Sequence, residues 1–323
     1  MRDGSALQRT QPSGQNRGSA MVLRRILALA VALALAWAGH GGALAADAGR
    51  MVKTWVPPYA IAASQERLGE RYGGVGPADA LTHLGLQFWV PSASGGLERS
   101  SRYGAIGDGQ IAAFTTWGKA NGVKVMLTVY NGEWGWDWAL AKNAFGANRA
   151  AFVDALVAEM QALGLDGIDI DLEGAGMDPT AEDKAEYVAF IRALRKRLRP
   201  LGKELVLDSF SYVWNAPNTT WWPDLLPLVD GLVSMGYQEI GRGAPSWQSY
   251  AWQRKAAGKH ARKLLLGMPS DRDAWLGKTV VQQLAWVLPA ERKVGVAIWD
   301  AQNPSAAWRT KAVWKRLKTI REQ

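Results

Sequence analysis

Residues 166–173 read DGIDIDLE. Three strand-forming residues, Ile168, Ile170 and Leu172, alternate there with Asp169, Asp171 and Glu173, and Asp166 leads the run. Residues two apart in a strand share a face, so the three later acids point one way and the three aliphatic side chains the other. Ionised carboxylates almost never enter a core unpartnered, because their desolvation costs several kcal/mol or the proton stays on. Such a strand has either a wet outer face or an interior that uses its acids.

Short apolar runs recur on both sides of this stretch. Strands are predicted over 53–57 (KTWVP), 83–90 (HLGLQFWV), 124–130 (KVMLTVY), 167–172 (GIDIDL), 204–209 (ELVLDS), 231–236 (GLVSMG), 263–268 (KLLLGM) and 294–299 (VGVAIW). Helical patterns fall between them. Over 147–163, Phe152, Leu156, Met160 and Leu163 recur at spacings of four and three. Another pattern opens at Thr180, an N-cap with Asp183 three residues on, and carries Tyr187, Ile191, Leu194 and Leu198 before Pro200 and Gly202 end it. Eight strands alternating with helices predict a single α/β domain, a (β/α)8 TIM barrel. A doubly wound open sheet is the alternative, but its Gly-rich phosphate loop is missing after the first strand, which continues VPPYAIAASQ. In a barrel the aliphatic row packs under the helices and the acids line the interior. Glu173 then lies nearest the C-terminal mouth, where such barrels do their chemistry.

Ahead of the barrel, residues 21–45 combine Arg24 and Arg25, an apolar core from Ile26 to Ala38, and Ala43-Leu44-Ala45. That is the pattern of a cleaved signal peptide. The apolar core is 13 residues (26 through 38), short of the roughly 20 needed to span a bilayer. The polar stretch 1–20 reads as a non-structural upstream extension, and 46–323 as the folded domain. The expected product is exported, periplasmic or secreted, without a stable membrane anchor. Residues 1–45 carry five Arg and one Asp, so the formal net charge of +9 becomes 9 − 4 = +5 for the remainder. Much of that excess is Lys311, Lys315, Arg316, Lys318 and Arg321, read as the solvated face of a terminal helix, and no nucleic-acid partner is expected. With no cysteine, the domain relies on its core rather than on disulfides. Three histidines, one of them His40 in the leader, argue against a His-rich metal site. No metal or organic cofactor is expected, and the protein reads as a monomer.

Three carboxyls on one face disfavour simultaneous ionisation, so a proton is retained near neutral pH. On Glu173 that proton makes a general acid. An acidic ladder paired with lysine or arginine from adjacent strands is the alternative, but KVMLTVY and ELVLDS offer a Lys or Glu only at their starts. Asp166 is expected to secure the entry of the strand.

DGIDIDLE resembles the Asp-x-x-Asp-x-Asp-x-Glu signature of glycoside hydrolase family 18, which contains chitinases and endo-β-N-acetylglucosaminidases. THLGLQFW is similar to that family's second strand, SMGYQ to its sixth-strand Met-x-Tyr, and LLLGMP and VGVAIW to its seventh and eighth strands. The resemblance spans nearly all of 46–323. It implies that Glu173 is the acid/base and that Asp171 orients the substrate's 2-acetamido group, whose carbonyl oxygen attacks the anomeric carbon. It further implies that Asp169 shares a proton with Asp171, that Tyr237 hydrogen-bonds the acetamide, and that Met235 and Gln238 border the same sugar. Trp299 is implied as the floor under it. Trp134 and Trp136, with Trp138, follow the third strand in NGEWGWDWAL and are placed to line outer subsites for N-acetylglucosamine oligomers. Trp308 and Trp314 are read as core, and Trp221 and Trp222 as either.

Two positions depart from the family pattern. TVYNGEW stands where the third strand usually ends in Ser-x-Gly-Gly, and Gln238 where many members have Asp or Asn. The segment 269–293 is too short for the α+β insertion that deepens the cleft of some members, so an open groove and internal cleavage are expected. The implied function is a secreted glycosidase cleaving β-1,4-linked N-acetylglucosamine by substrate-assisted retention. An endoglycosidase acting on the N-glycan chitobiose core and a non-catalytic chitin-oligosaccharide binder are the alternatives.

Overall fold

Eight parallel strands close into a barrel in a computed structural model that describes residues 49–176, 178–237, 246–275 and 277–323. The expected extension, the expected signal peptide and Gln238 lie outside the described residues. The strands are β1 Val52–Val56, β2 His83–Pro91, β3 Lys124–Tyr130, β4 Gly167–Asp171, β5 Glu204–Ser209, β6 Gly231–Ser234, β7 Leu264–Pro269 and β8 Gly295–Trp299. Each pairs with its sequence neighbours, and β1 closes the ring on β8 through Val52↔Val296. All eight predicted strands form, with ends displaced by two residues at most.

The crossovers carry helices α1 Ile61–Leu68, α2 Asp108–Asn121, α3 Arg149–Ala162, α4 Ala181–Leu198, α5 Ser246–Ala257 and α6 Val280–Val287. After β8 comes α7 Lys311–Arg321, and the β5–β6 connection has the single turn Trp222–Leu225. The cap of α4 is the one read from sequence: Asp183 N–H donates to Thr180 Oγ1 (3.0 Å), and Thr180 N–H donates to Asp183 Oδ2 (2.8 Å). One hairpin escaped the sequence reading. β2 turns through Ser92–Gly96 into a short antiparallel strand, Leu97–Arg99, which pairs back on Trp89–Pro91. Between β7 and β8 there is a two-residue-per-strand hairpin, Ala274–Trp275 with Lys278–Thr279, followed by α6. Ser270, Asp271 and Arg272 at the start of that connection line the cleft at the mouth.

Ile168, Ile170 and Leu172 are fully buried in one apolar cluster with Phe152, Leu156 and Met160 of α3 and Tyr187, Ile191 and Leu194 of α4. Each such side chain contributes roughly 1.5–3 kcal/mol by leaving water. A smaller cluster fills the barrel itself, from Trp55, Met126, Val206, Val233, Leu265 and Ala297. Trp308 and Trp314 are core as expected, with Trp308 in a turn ahead of α7 and donating its indole N–H to the Pro269 carbonyl (3.0 Å). Trp221 and Trp222 are also buried, and Trp222 donates to Ser209 Oγ (2.8 Å).

The N-terminal mouth is closed by ionic pairs. Glu204 bridges His83 Nε2 (2.6 Å) and Lys124, so the Lys and Glu at the starts of β3 and β5 serve each other. Asp166 Oδ2 accepts from Val125 N–H (2.8 Å), tying the entry of β4 to β3. Among the described residues no helix is long and apolar enough to cross a membrane.

One glycine makes the interior possible. A Cβ on Gly85 would lie 2.6 Å from Thr128 Oγ1 and 2.8 Å from Trp55 Cδ1, both of which serve Asp169. Gly85→Ala is therefore expected to cost about 1–3 kcal/mol by overpacking. A urea midpoint equal to wild type would show that this space is not needed.

Candidate active site

Along β4 the acids climb toward the mouth: Asp169 is 0% exposed, Asp171 3% and Glu173 8%. The strand pattern alone produces this row, because the alternate positions are anchored under α3 and α4. One ion pair and two hydrogen bonds converge on Asp169. Lys53 Nζ lies 2.6 Å from Oδ1, while Oδ2 accepts from Trp55 Nε1 (3.0 Å) and Thr128 Oγ1 (2.8 Å).

Asp171 Oδ2 accepts from Gln87 Nε2 (2.8 Å), and Asp171 is hydrogen-bonded to Glu173. Burial pushes Asp171 up to about 6, partly offset by the bond from Glu173 and reinforced by the charge of Asp169. Burial, then the charge of Asp171, raises Glu173 well above the usual carboxylate range. The proton of this pair therefore sits on Glu173 and points to Asp171. The resemblance implied a proton shared between Asp169 and Asp171; the hydrogen bond of Asp171 to Glu173 stands beside that implication.

The backbone of Glu173 is fixed by a residue that sequence reading noted only as a departure. Asn131 Oδ1 accepts from Glu173 N–H (2.7 Å), and Asn131 Nδ2 donates to the Glu173 carbonyl (2.9 Å). β4 has ended by then, at Asp171, so this amide stands in for a neighbouring strand.

A cleft of about 570 Å³ opens above the acids. Trp55, Gln87, Trp136, Asp171, Glu173, Asp208, Met235, Tyr237 and Trp299 are among the residues that line it. Trp299 packs on Trp55 with ring centroids 5.6 Å apart, and the Trp299–Asp300 peptide is cis. Tyr237 comes close to β7 because Gly267 has no side chain; a Cβ there would lie 2.8 Å from the tyrosine ring. The Tyr237 hydroxyl is buried without a partner among the described residues. On the far wall Asp300 accepts from Tyr59 Oη (3.1 Å) and from the Gln302 side chain and backbone (both 3.0 Å). Of the expected sugar contacts, Trp299, Met235 and Trp136 are in this cleft. Trp134 is 76% exposed and lines a second cavity of about 600 Å³, which also includes Trp136.

Two buried groups were missed. Lys53 was overlooked because the search for a base stopped at the strands adjacent to β4, whereas β1 reaches Asp169 across the interior. Asp208 is 1% exposed and belongs to ELVLDS; it shares the inner face of β5 with Val206 while Leu205 and Leu207 face outward, which repeats the pattern of β4 and was the available signal. Among the described residues no cluster of three or more His, Cys, Asp or Glu is disposed to hold a metal ion.

A closed parallel barrel with a protonated carboxyl at the end of one strand, above an aromatic floor, has the constitution of a glycosidase. The chain belongs to glycosyl hydrolases family 18, whose family model matches residues 58–316. It is similar in fold to the chitinase from Chromobacterium violaceum ATCC 12472, with TM-score 0.64 and 16% identity over 85% of this chain and 99% of that one. The Pseudomonas fluorescens Pf-5 class V enzyme, titled a chitininase, gives TM-score 0.64 and 15% identity over 84% and 99%. The spore cortex-lytic enzyme SleL of Bacillus cereus gives TM-score 0.63 and 13% identity over 84% and 74%. No curated protein matches the chain in sequence.

The raised Glu173 has a consequence for stability. A carboxyl whose folded value exceeds its unfolded value of about 4.3 makes stability fall as pH rises between the two. Glu173→Gln removes that loss, so the melting temperature of the variant minus that of wild type should widen steadily from pH 4 to pH 8. A constant difference would mean that Glu173 titrates as an ordinary exposed glutamate.

Proposed function

We propose that the protein is an exported, monomeric glycosidase that cleaves β-1,4-linked N-acetylglucosamine in chitin or chito-oligosaccharides by a substrate-assisted, retaining mechanism. The observation that carries this reading is the unpartnered Tyr237 hydroxyl beside Asp171 and Glu173. Leaving a buried hydroxyl unpaired costs about 1–3 kcal/mol, so the site is incomplete without an acceptor. When Glu173 turns its proton to the glycosidic oxygen, Asp171 loses that hydrogen bond and gains a free acceptor position. A free donor and a free acceptor together match the C=O and N–H of a secondary amide.

In this mechanism the acetamide oxygen attacks the anomeric carbon as the C–O bond breaks, and the leaving oxygen takes the proton from Glu173. Asp171 holds the amide N–H and balances the charge that develops on the cyclic intermediate. Water then opens that intermediate with Glu173 as base, and the configuration is retained. Asp171 and Glu173, two residues apart on one wall, cannot flank the bond from both sides, which supports an internal nucleophile over a second carboxylate. The sugar's C–H face stacks on Trp299. The short connection after β7 and the continuation past Trp136 into the second cavity support internal cleavage.

Altered walls favour a second reading, in which the same bond is cut within another glycan. Asn131 and Trp134 stand where the resemblance leads one to expect a Gly-rich strand end, so an N-glycan core and a bacterial cell-wall glycan belong in the substrate panel. The first test is product analysis on N-acetylglucosamine hexamer with wild type and Glu173→Gln. Shorter oligomers from wild type alone, initially as β-anomers, are expected; undiminished turnover by the variant would overturn the assignment of Glu173. kcat/KM should be bell-shaped, with its acid limb near pH 6 from Asp171 and its alkaline limb from loss of the Glu173 proton. A profile flat from pH 4 to 9 would contradict both roles.

A further inference from the structure

Four carboxyls and one lysine occupy the barrel interior; Asp171, Glu173 and Asp208 line the cleft, and Asp169 and Lys53 lie outside its lining. Lys53 is wholly buried; its Nζ lies 2.6 Å from Asp169 Oδ1, 3.3 Å from Asp208 Oδ1 and 3.9 Å from the centre of the Trp55 ring. Asp208 Oδ2 has no partner among the described residues, and Asp208 lines the cleft. Lys53 thus touches the two deepest acids and the aromatic ring that packs beneath Trp299, without reaching the cleft itself.

We infer that Lys53 is a positioning residue of the reaction: one ammonium shared by Asp169 and Asp208 sets how many protons the acidic floor holds, and so keeps Asp171 ionisable beside a protonated Glu173. The inference rests on the acetamide-assisted reading of the same site. Without Lys53, Asp169 loses its ion pair, and Asp171 and Asp208 lose the cation that favours their charged forms. Protonation then becomes the cheapest way to keep them buried. A proton taken up on Asp171 removes the acceptor that the amide N–H needs. Asp208 acts in the opposite sense, since its charge is one of the causes that raise Glu173.

The other titratable or charged groups of this interior are few. Above are Tyr237, after β6, and Asp300, after β8, both outside direct contact with Lys53. Below it His83 of β2, Glu204 of β5 and Lys124 of β3 satisfy one another. Of the uncharged neighbours, Gln87 of β2 serves Asp171 and Thr128 of β3 serves Asp169. The inward positions of β7 and β8, Leu265, Gly267 and Ala297, carry no charge. Lys53 is therefore the one cation of the described interior in contact with the acid row.

The test combines kinetics with a readout that needs no turnover. Lys53→Met should move the acid limb of kcat/KM upward by about one to three pH units. It should also lower kcat by roughly 10²-fold while KM changes little. Lys53→Arg should restore the acid limb, and Asp208→Asn should move the alkaline limb downward by lowering Glu173. Carboxyl ¹³C titration of the free enzyme should show the Asp171 resonance shifting to higher pH in Lys53→Met. Unchanged limbs and unchanged titrations in Lys53→Met would overturn the inference. If Lys53→Met does not fold, an unmoved Glu173 titration in Asp208→Asn does the same. If wild type cleaves no N-acetylglucosamine oligomer, the functional reading fails, while the titrations still decide the role of Lys53.

Discussion

The ion pair between Lys53 and Asp169 spans the inside of the barrel with neither side chain exposed to solvent. Such a pair is no source of stability by itself, since desolvating two ions roughly cancels their attraction. What it does is fix position. With Lys53 on one side and Trp55 and Thr128 on the other, Asp169 is held in place at the bottom of the acid row. Above it, burial comes first, then the charge of Asp169 raises Asp171, and the charges of Asp171 and Asp208 raise Glu173. The raised values of Asp171 and Glu173 follow from this arrangement and from burial, without any special feature of the residues themselves.

The barrel supplies the rest by geometry. Parallel strands whose outer faces are pinned under helices have no freedom to slip, because a one-residue shift would turn the acids outward and the aliphatic residues inward. The inner faces can therefore carry an unfavourable set of side chains at defined heights. Trp55 joins the two functions of the interior: its N–H serves Asp169 and its ring supports Trp299. Floor and proton store are parts of one packed unit.

Much of this was legible in the chain. The alternation in DGIDIDLE placed the acid row on the inner face and ordered it toward the mouth, and the apolar runs located all eight strands. The α4 cap was readable because its two partners lie three residues apart. What escaped lies in contacts between distant strands. Lys53 sits in KTWVP, a run that reads as an ordinary first strand, and nothing local says that its ammonium crosses to β4. Asp208 was hidden by being one acid in an otherwise aliphatic run. Asn131 was visible only as the lack of an expected motif, since its function depends on the height at which β4 ends. The hairpin after β2 was missed because its return strand is three residues long and half polar.

Asn131 gives the site a property of a different kind. Its amide grips both backbone groups of Glu173, so the height of the acid is set by the residue that follows β3, and the next residue, Gly174, is held by its own bridge to Ala216. The loop leading from Gly174 to the cap at Thr180 is thereby relieved of any duty to hold the acid in place. It is free to change in length and chemistry as glycans change, with the proton donor staying where it is. The protein separates the part that reacts from the part that chooses, and an engineer grafting new loops onto this barrel would find the boundary between them already drawn.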